Sequence, residues 1–329
     1  MNILVTGGAG YIGSVLVEHC ADEGHEVFVV DNLVKGYREL VDQRAELFIA
    51  DIADRDSMVT ILNENKIEAV IHMAAYSIVP ESNSDPAAYY RNNVIAGLDL
   101  LDAMRDAGTD RFVFSSTAAV YGEPDLEAIT EDTPTAPTNA YGDTKLTFEK
   151  ALGWYGRAYG LKWVSLRYFN AAGASDNFGE RHDPETHLIP NAIKAAVGEL
   201  RELSIFGDDY PTKDGTCVRD YIHVRDLARA HLLAVNAAQA EGSVYNLGSG
   251  QGLTVREIVD GVTRVSGREV PVKIAPRRSG DPARLVASAD KIRSDLGWET
   301  RESDLDSIIG SAWKWHQKDR TQMTASEGH

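Results

Sequence analysis

The sequence predicts an α/β fold: a doubly wound parallel sheet with a smaller C-terminal substrate domain interleaved with it. Three observations predict it. Short apolar runs alternate with helical patterns through the first half of the chain. A glycine-rich turn joins the first run to the first helix, and the second run ends in an acid about 20 residues beyond those glycines.

Ile3-Leu4-Val5 is too short for a buried helix and suits a buried parallel strand. Gly7, Gly10 and Gly13 follow, and Ser14 to Asp22 reads as a helix. Strand, turn and helix form the phosphate cradle of a Rossmann-type sheet. The glycines let the backbone approach a pyrophosphate, and the helix start presents unpaired N–H groups with a partial positive charge. Val27 to Val30 is the second run, and Asp31 closes it. An acid there accepts both ribose hydroxyls of an adenosine and repels a 2′-phosphate, which favours NAD over NADP. Its alternative role is to cap a βα loop, and Lys35 and Arg38 lie close enough to keep NADP in view.

Leu47 to Asp51 reads as a third strand, ending in a carboxylate at the edge where ligands bind, and Asp56 to Asn65 as a helix. Ala69 to Ala75 is a fourth strand whose small residues leave room beside a cofactor. His72, inside that apolar run, is expected to be a core histidine. Pro86 to Ala107 and Tyr141 to Tyr159 read as long helices. Val94, Leu98, Leu101 and Met104 recur at helical spacing on the first, and Leu146, Phe148, Leu152 and Tyr155 on the second. These faces either cover the chain's own sheet or join a second copy in a four-helix bundle, and a homodimer is expected. Arg111 to Ser115 and Trp163 to Phe169 are the fifth and sixth strands. After Asn170 the alternation loosens, with Gly, Asp and Pro more frequent. The domain boundaries are therefore 1–172 for the nucleotide-binding part and 173–317 for the substrate part. Tyr221 to Val224 and Val244 to Leu247, within 217–248, are expected to return to the first sheet. The polar stretch 318–329 is expected to be a disordered tail.

The 329 residues suffice for a large core, and 43% hydrophobic with 25% charged residues is ordinary for a globular protein. The net charge of −17 argues against non-specific binding to nucleic acid or an anionic membrane. A phosphate-bearing substrate needs local arginines against that field. Cys20 and Cys217 are the only cysteines and form no CxxC or metal spacing, so neither a disulfide nor a metal is expected. No leader and no apolar run of 18 residues is visible, and the expected location is the cytoplasm.

Tyr141-Gly-Asp-Thr-Lys145 places a phenol and an ammonium one helical turn apart on one face. A nearby cation lowers a tyrosine pKa, which makes the phenol usable as a proton acceptor near neutral pH. Ser115-Ser116-Thr117 brings hydroxyls to the carboxyl end of strand five, where a reacting group should sit. Thr117, Tyr141 and Lys145 then form a coherent hydrogen-bonding triad. A serine hydrolase is disfavoured, because no GxSxG elbow is present.

The chain resembles the extended short-chain dehydrogenase/reductases, and among them the UDP-hexose 4-epimerases. The resemblance is carried by Thr6 to Gly13, Arg167 to Ala174, the long run Phe206 to Val224, and Arg277 to Asp281, and it extends from residue 1 to about 316. It implies reversible interconversion of UDP-galactose and UDP-glucose with tightly bound NAD that is not consumed. Tyr141 would take the O4 proton while C4 passes hydride to the nicotinamide, and the 4-keto sugar would turn over before hydride returns. Lys145 would hold the nicotinamide ribose and Thr117 the O4 region. The implied cofactor contacts are Gly7, Gly10, Tyr11, Ile12, Gly13, Asp31 and Asn32 on the first two strands and their loops. Asp51, Ile52, Ala74, Ala75, Asn92, Ser115, Tyr141, Lys145 and Tyr168 continue the set. The implied substrate contacts are Thr117, Tyr141, Asn170, His187, Leu188, Phe206, Arg219, Arg278, Asp281 and Leu285. Arg219 and Arg278 are the local positive charge that a pyrophosphate requires.

Four positions depart from the pattern. Ser77 stands where some of these epimerases place a lysine, Thr117 where serine is common, and His187 where asparagine is usual. Leu285 has intermediate bulk at the position associated with admitting N-acetylated sugars. A nucleotide-sugar 4,6-dehydratase would carry an Asp-Glu pair after Thr117, where this chain has Ala118-Ala119. A 4-epimerase of UDP-N-acetylhexosamines or UDP-pentoses uses the same apparatus and remains the alternative. A non-catalytic NAD-sensing regulator would fit a broken triad better than an intact one.

Overall fold

The computed structural model describes residues 1–239, 241–278 and 281–326. Strands β1 (Asn2–Thr6), β2 (Glu26–Asp31), β3 (Glu46–Ile49), β4 (Ala69–His72), β5 (Arg111–Thr117) and β6 (Lys162–Tyr168) follow the predicted alternation. A seventh strand, Ser243–Leu247, pairs in parallel with β6 and completes a sheet whose order is Ser243–Leu247, β6, β5, β4, β1, β2, β3. The chain winds outward in one direction from β1 and then in the other from β4. The carboxyl edge between these two strands is the crevice where such sheets bind ligands.

Alternation along each strand sorts side chains onto two faces. Ile3, Val5, Val27, Val29 and Ile71 face one way. They pack with Val15, Leu16 and Cys20 of the helix Tyr11–Asp22 and with Leu227 and Ala234 of the helix Val224–Ala237. Leu4, Val30, Val70, Phe112 and Phe114 face the other way, against Met58, Leu101 and Phe148. The sheet is thus buried on both faces. Cys20 is completely buried and burial pushes its thiol up to about 12, as suits a core residue.

The long helical stretch from Pro86 is three joined segments: Pro86–Tyr90, a π-helical turn Arg91–Ile95, and Ala96–Ala107. Asn92 and Asn93 sit on that turn. The Asn93 amide oxygen accepts from Tyr76 N (2.8 Å) and from Asn92 Nδ2 (2.9 Å), which fixes the segment beside the end of β4.

Of the two strands expected to return to the first sheet, only Ser243–Leu247 pairs there. Val218–His223 instead centres a second sheet, parallel to Asn170–Ala172 and Arg284–Leu285 and antiparallel to Gly252–Thr254. Around it the helices Leu188–Ala196, Val255–Ser266 and Leu305–Ser326 enclose Ile189, Ile193, Ile258, Val262, Ile308 and Ile309. The last of these helices corrects the expected disordered tail as far as Ser326. Lys318 donates to Asp176 O (2.9 Å), and Arg181 clamps Asp319. Composition alone misses such anchors. Residues 327–329 of that tail lie outside the described residues.

His72 is a core histidine. Its Nδ1 is 2.7 Å from Thr6 Oγ1, its ring lies among Phe112, Phe114 and Phe148, and burial lowers its pKa to about 3. The folded value lies below the unfolded value of 6.5. Between those two values the unfolded chain carries the extra proton, so stability falls as pH falls through that window. Each such histidine adds about 1.4 kcal/mol per pH unit to the slope. His72→Phe is expected to flatten the dependence of the urea midpoint on pH between about pH 4 and 6, and an unchanged slope would refute the assignment.

Candidate active site

The first loop is built as a cradle. Gly7 N donates to Val30 O (2.8 Å), Gly10 N to Gly7 O (3.2 Å), and the helix Tyr11–Asp22 starts on Gly10 without any side-chain cap. Its first N–H groups therefore have no partner from a capping side chain. Two of the glycines are obligatory. Gly7 has φ +74°, and a Cβ there would stand 2.6 Å from Ala74 N. A Cβ on Gly13 would stand 2.2 Å from Gly7 O. Backbone fills that space, so a side chain at either position would displace the turn.

Asp31 is 8% exposed. Its carboxylate accepts from Ala9 N (3.0 Å) and Leu33 N (2.9 Å). Burial raises its pKa and these two N–H groups oppose the rise. The capping role therefore holds, and it fixes the carboxylate at the edge of the cleft. Asn32 donates to Asp51 (3.2 Å), tying the ends of β2 and β3.

β5 delivers Ser115 and Thr117 to the same edge, and the helix Ala140–Tyr159 begins opposite them. Asn139 caps that helix by accepting from Gly142 N (2.8 Å). A Cβ on Gly142 would meet Ala119 O at 2.6 Å, so glycine lets the helix start against the turn after β5. Tyr141 and Thr117 are hydrogen-bonded, and burial pushes the phenol up to about 12 against that bond. Lys145 Nζ donates to Ser115 O (2.8 Å), lies 4.7 Å from the Phe114 ring centroid and 6.0 Å from that of Tyr141. Burial lowers its pKa to about 7, and Glu149 opposes the shift. The expected lowering of Tyr141 by Lys145 is thus not met by the chain's own groups: desolvation outweighs them, and the ammonium is engaged by Ser115.

Sequence reasoning missed what lies beneath Lys145. Glu149 accepts from Ser116 Oγ (2.6 Å), Ser165 Oγ (2.8 Å), Arg167 Nε (3.0 Å) and Arg167 Nη2 (2.5 Å), all buried. Arg167 Nη1 donates to Tyr121 OH (2.9 Å), which donates to Asn246 Oδ1 (2.7 Å). The available signal was spacing: 141, 145 and 149 recur every fourth residue on one face.

A cleft of about 990 Å³ gathers the expected residues of both strand ends: Gly7, Gly10, Tyr11, Ile12, Gly13, Asp31, Asn32, Asp51, Ile52, Ala74 and Ala75. Ser77, Asn92, Ser115, Thr117, Tyr141, Lys145, Tyr168, Asn170, His187 and Leu188 line it as well. Burial raises the pKa of Tyr168, and a hydrogen bond with Ser115 opposes this. Phe206, Arg219, Arg278, Asp281 and Leu285 form a separate group. The Arg278 guanidinium stacks 3.8 Å from the Phe206 ring centroid, and Arg219 contacts Asp281 (3.3 Å) and Pro282 O (2.9 Å). Leu285 pairs with Arg219 across the second sheet. Ser279 and Gly280, within the Arg277–Asp281 run, lie outside the described residues. His187 Nδ1 lies 2.7 Å from Glu180 and 2.9 Å from Glu185.

Residues 3–248 match the NAD dependent epimerase/dehydratase family. The chain is 48% identical over 321 residues to a UDP-glucose 4-epimerase of Lacticaseibacillus casei, covering 96% of this chain and 97% of that protein. It superposes on the crystal structure of UDP-glucose 4-epimerase from Brucella ovis in complex with NAD with a TM-score of 0.92 and 48% identity, over 95% of this chain and 97% of that one. A UDP-glucose 4-epimerase from Stenotrophomonas maltophila, with bound NAD and formylated UDP-arabinopyranose, matches with a TM-score of 0.94 and 40% identity, over 98% and 99% of the two chains.

Proposed function

The chain belongs to the NAD dependent epimerase/dehydratase family, and from that premise we propose that it interconverts UDP-galactose and UDP-glucose as an NAD-dependent 4-epimerase. The observation that carries this reading is the convergence of Tyr141, Thr117 and Lys145 on the carboxyl edge of the sheet, in one cleft with the glycine cradle. The cradle fits a dinucleotide: glycine at positions 7 and 13 keeps the turn tight against Ala74 and Gly7 O, and the helix that follows starts with no side-chain cap, leaving its first N–H groups for a pyrophosphate. The cleft residues would hold NAD, which would supply the hydride acceptor and donor for the sugar C4.

The chain's own residues handle the proton and the positioning. The Tyr141 oxygen, as phenolate, receives the O4 proton during oxidation and, as phenol, gives it back on return. Thr117 already bonds that hydroxyl and holds the oxygen it serves. Lys145, pinned by Ser115 O, holds the nicotinamide ribose. Asp31, Asn32, Asp51, Ile52 and Asn92 take the adenosine side, and Ala74, Ala75 and Tyr168 the walls. Asn170 and Leu188 border the sugar. Phe206, Arg219, Arg278 and Asp281 take the uridine diphosphate, with the two guanidiniums as its counter-charge. The turn after β5 offers only Ala118 and Ala119, so no acid–base pair stands ready to eliminate water.

Purified protein with no added NAD should convert UDP-galactose to UDP-glucose. Failure with NAD supplied, and with NAD shown to bind, would sink the hexose-epimerase reading. The same assay with UDP-N-acetylgalactosamine reads the room left by Leu285. Comparable turnover would extend the substrate range.

We assign a homodimer to the outer face of the helices Ala96–Ala107 and Ala140–Tyr159. Trp154 (66% exposed), Tyr159 and the adjoining Ile95 leave apolar surface there that the chain itself does not cover. Trp154→Glu is expected to halve the mass seen in sedimentation, and an unchanged mass would place the interface elsewhere. Cys20 and Cys217 are both free, which accords with a cytoplasmic site. Among the described residues no helix is long and apolar enough to cross a membrane.

A further inference from the structure

The loop between Asn170–Ala172 and the helix Leu188–Ala196 carries four side chains that take no part in the proton or hydride transfer, and all four stand on one wall of the same cleft. One donor atom each from Glu180, His182, Glu185 and His187 lies within 4.8 Å of all the others. Glu180 Oε1 is 2.9 Å from His182 Nδ1 and 2.7 Å from His187 Nδ1, and His187 Nδ1 is 2.9 Å from Glu185 Oε1. Both carboxylates are more than nine-tenths buried, at 9% and 4% side-chain exposure.

Two buried carboxylates side by side are costly unless a cation neutralises them. The adjacent Arg181 is committed elsewhere, to Asp319 and to Glu39 (2.7 Å). The two imidazoles are left, and they satisfy the carboxylates either by carrying protons or by sharing a metal ion. Geometry and donor type favour the metal. A tetrahedron built on bonds of about 2.0–2.2 Å has edges of about 3.3–3.6 Å, so the three N–O contacts of 2.7–2.9 Å need to open by less than about 1 Å for an ion to take the place of the protons between them. Two imidazole nitrogens with two carboxylate oxygens suit a borderline divalent ion, whereas calcium or magnesium would seek six or more oxygens.

The frame around the cluster is already set. Glu185 Oε1 accepts from Thr186 N (2.7 Å) and His187 N (2.8 Å), and Glu180 O accepts from Trp315 Nε1 (3.0 Å). The His182 ring stands edge-on to Tyr11, at 6.1 Å between centroids, and Tyr11 OH donates to Gly173 O (2.6 Å). The cluster therefore joins the nucleotide-binding helix, the substrate domain and the last helix of the chain.

We propose that Glu180, His182, Glu185 and His187 form a four-ligand structural site for a divalent transition ion of the zinc type. The ion closes the 180–187 loop against Tyr11 and the C-terminal helix. It takes no part in the proton or hydride transfers and replaces two protons as the counter-charge of the carboxylates.

The test uses untagged full-length protein stripped with a strong chelator, with its NAD content checked. Titration with Zn²⁺, read by elemental analysis after gel filtration, should give one ion per chain and raise the melting temperature. Co²⁺ in its place should give the intense visible bands of tetrahedral cobalt. His182→Ala and, as a milder change, Glu185→Gln should each weaken Zn²⁺ uptake by at least about tenfold, the low end of what losing even an outer-shell partner of a ligand costs. If stripped wild-type protein takes up no stoichiometric Zn²⁺, or if both variants bind it as the parent does, the cluster is held by protons and the site is refuted. Metal content is read apart from turnover, so either outcome leaves the epimerase assay to stand or fall by itself.

Discussion

Replacing Tyr141 by phenylalanine is expected to cut UDP-galactose turnover by about 10²–10⁴-fold, the range for removing a positioned acid–base group. The change deletes one oxygen and leaves the ring. Lys145 keeps its bond to Ser115 O (2.8 Å), so cofactor content, circular dichroism and melting temperature should stay close to the parent's. The loss should fall on kcat, since the proton moves only on the way to the transition state. A variant within tenfold of the parent (roughly one order, far below the range above) would remove Tyr141 from the chemistry. Thr117→Val makes a telling companion. The Thr117 hydroxyl works against the burial that raises the phenol to about 12. Without it the phenol rises further, so the limb of the pH profile that needs the deprotonated phenol should move to higher pH, with more residual activity than Tyr141→Phe.

That pair of residues was legible before any coordinates, because Tyr141 and Lys145 sit one turn apart and Thr117 ends a recognisable strand. Local spacing also revealed the cradle, where Gly13 meets the backbone of its own turn at Gly7 O, whereas the contact that Gly7 makes with Ala74 at the end of β4 is set only by folding. Long-range pairing was not legible in this way. Val218–His223 and Ser243–Leu247 both read as strands, yet nothing local states which sheet each joins. The π-helical turn at Arg91–Ile95 left no mark on the apolar period. Glu149 and Arg167 each looked ordinary, and only folding sets β6 against the helix carrying Lys145. The Glu180–His187 cluster contains no cysteine, so cysteine spacing gives no sign of it. The helix through Lys318 escaped because its anchors, Asp176 and Arg181, lie far away in sequence.

The second large effect is expected at Glu149. Its carboxylate and the Arg167 guanidinium are 5% and 7% exposed, and the groups that donate to Glu149 are themselves buried: two hydroxyls and the arginine fork. Glu149→Ala leaves a guanidinium in the protein interior with, among the described residues, only Tyr121 to answer it, which should cost about 3–5 kcal/mol in denaturant unfolding. The pair need not stabilise the fold relative to an apolar core, because burying two charges consumes much of what their attraction returns. The double variant Glu149→Leu with Arg167→Met should therefore recover much of the loss of the single change, and a loss equal to the sum of the single variants would contradict this. Recovery of stability should not restore the enzyme's pH profile. Glu149 holds the Lys145 pKa up against burial, at about 7, so its removal lets that value fall. Lys145 then loses its charge at lower pH, and the activity limb that depends on a charged Lys145 should move to lower pH in both variants. A double variant with parental stability and a parental pH profile would make Glu149 a purely structural residue. A restored fold with a shifted profile would identify it as the group that keeps Lys145 charged.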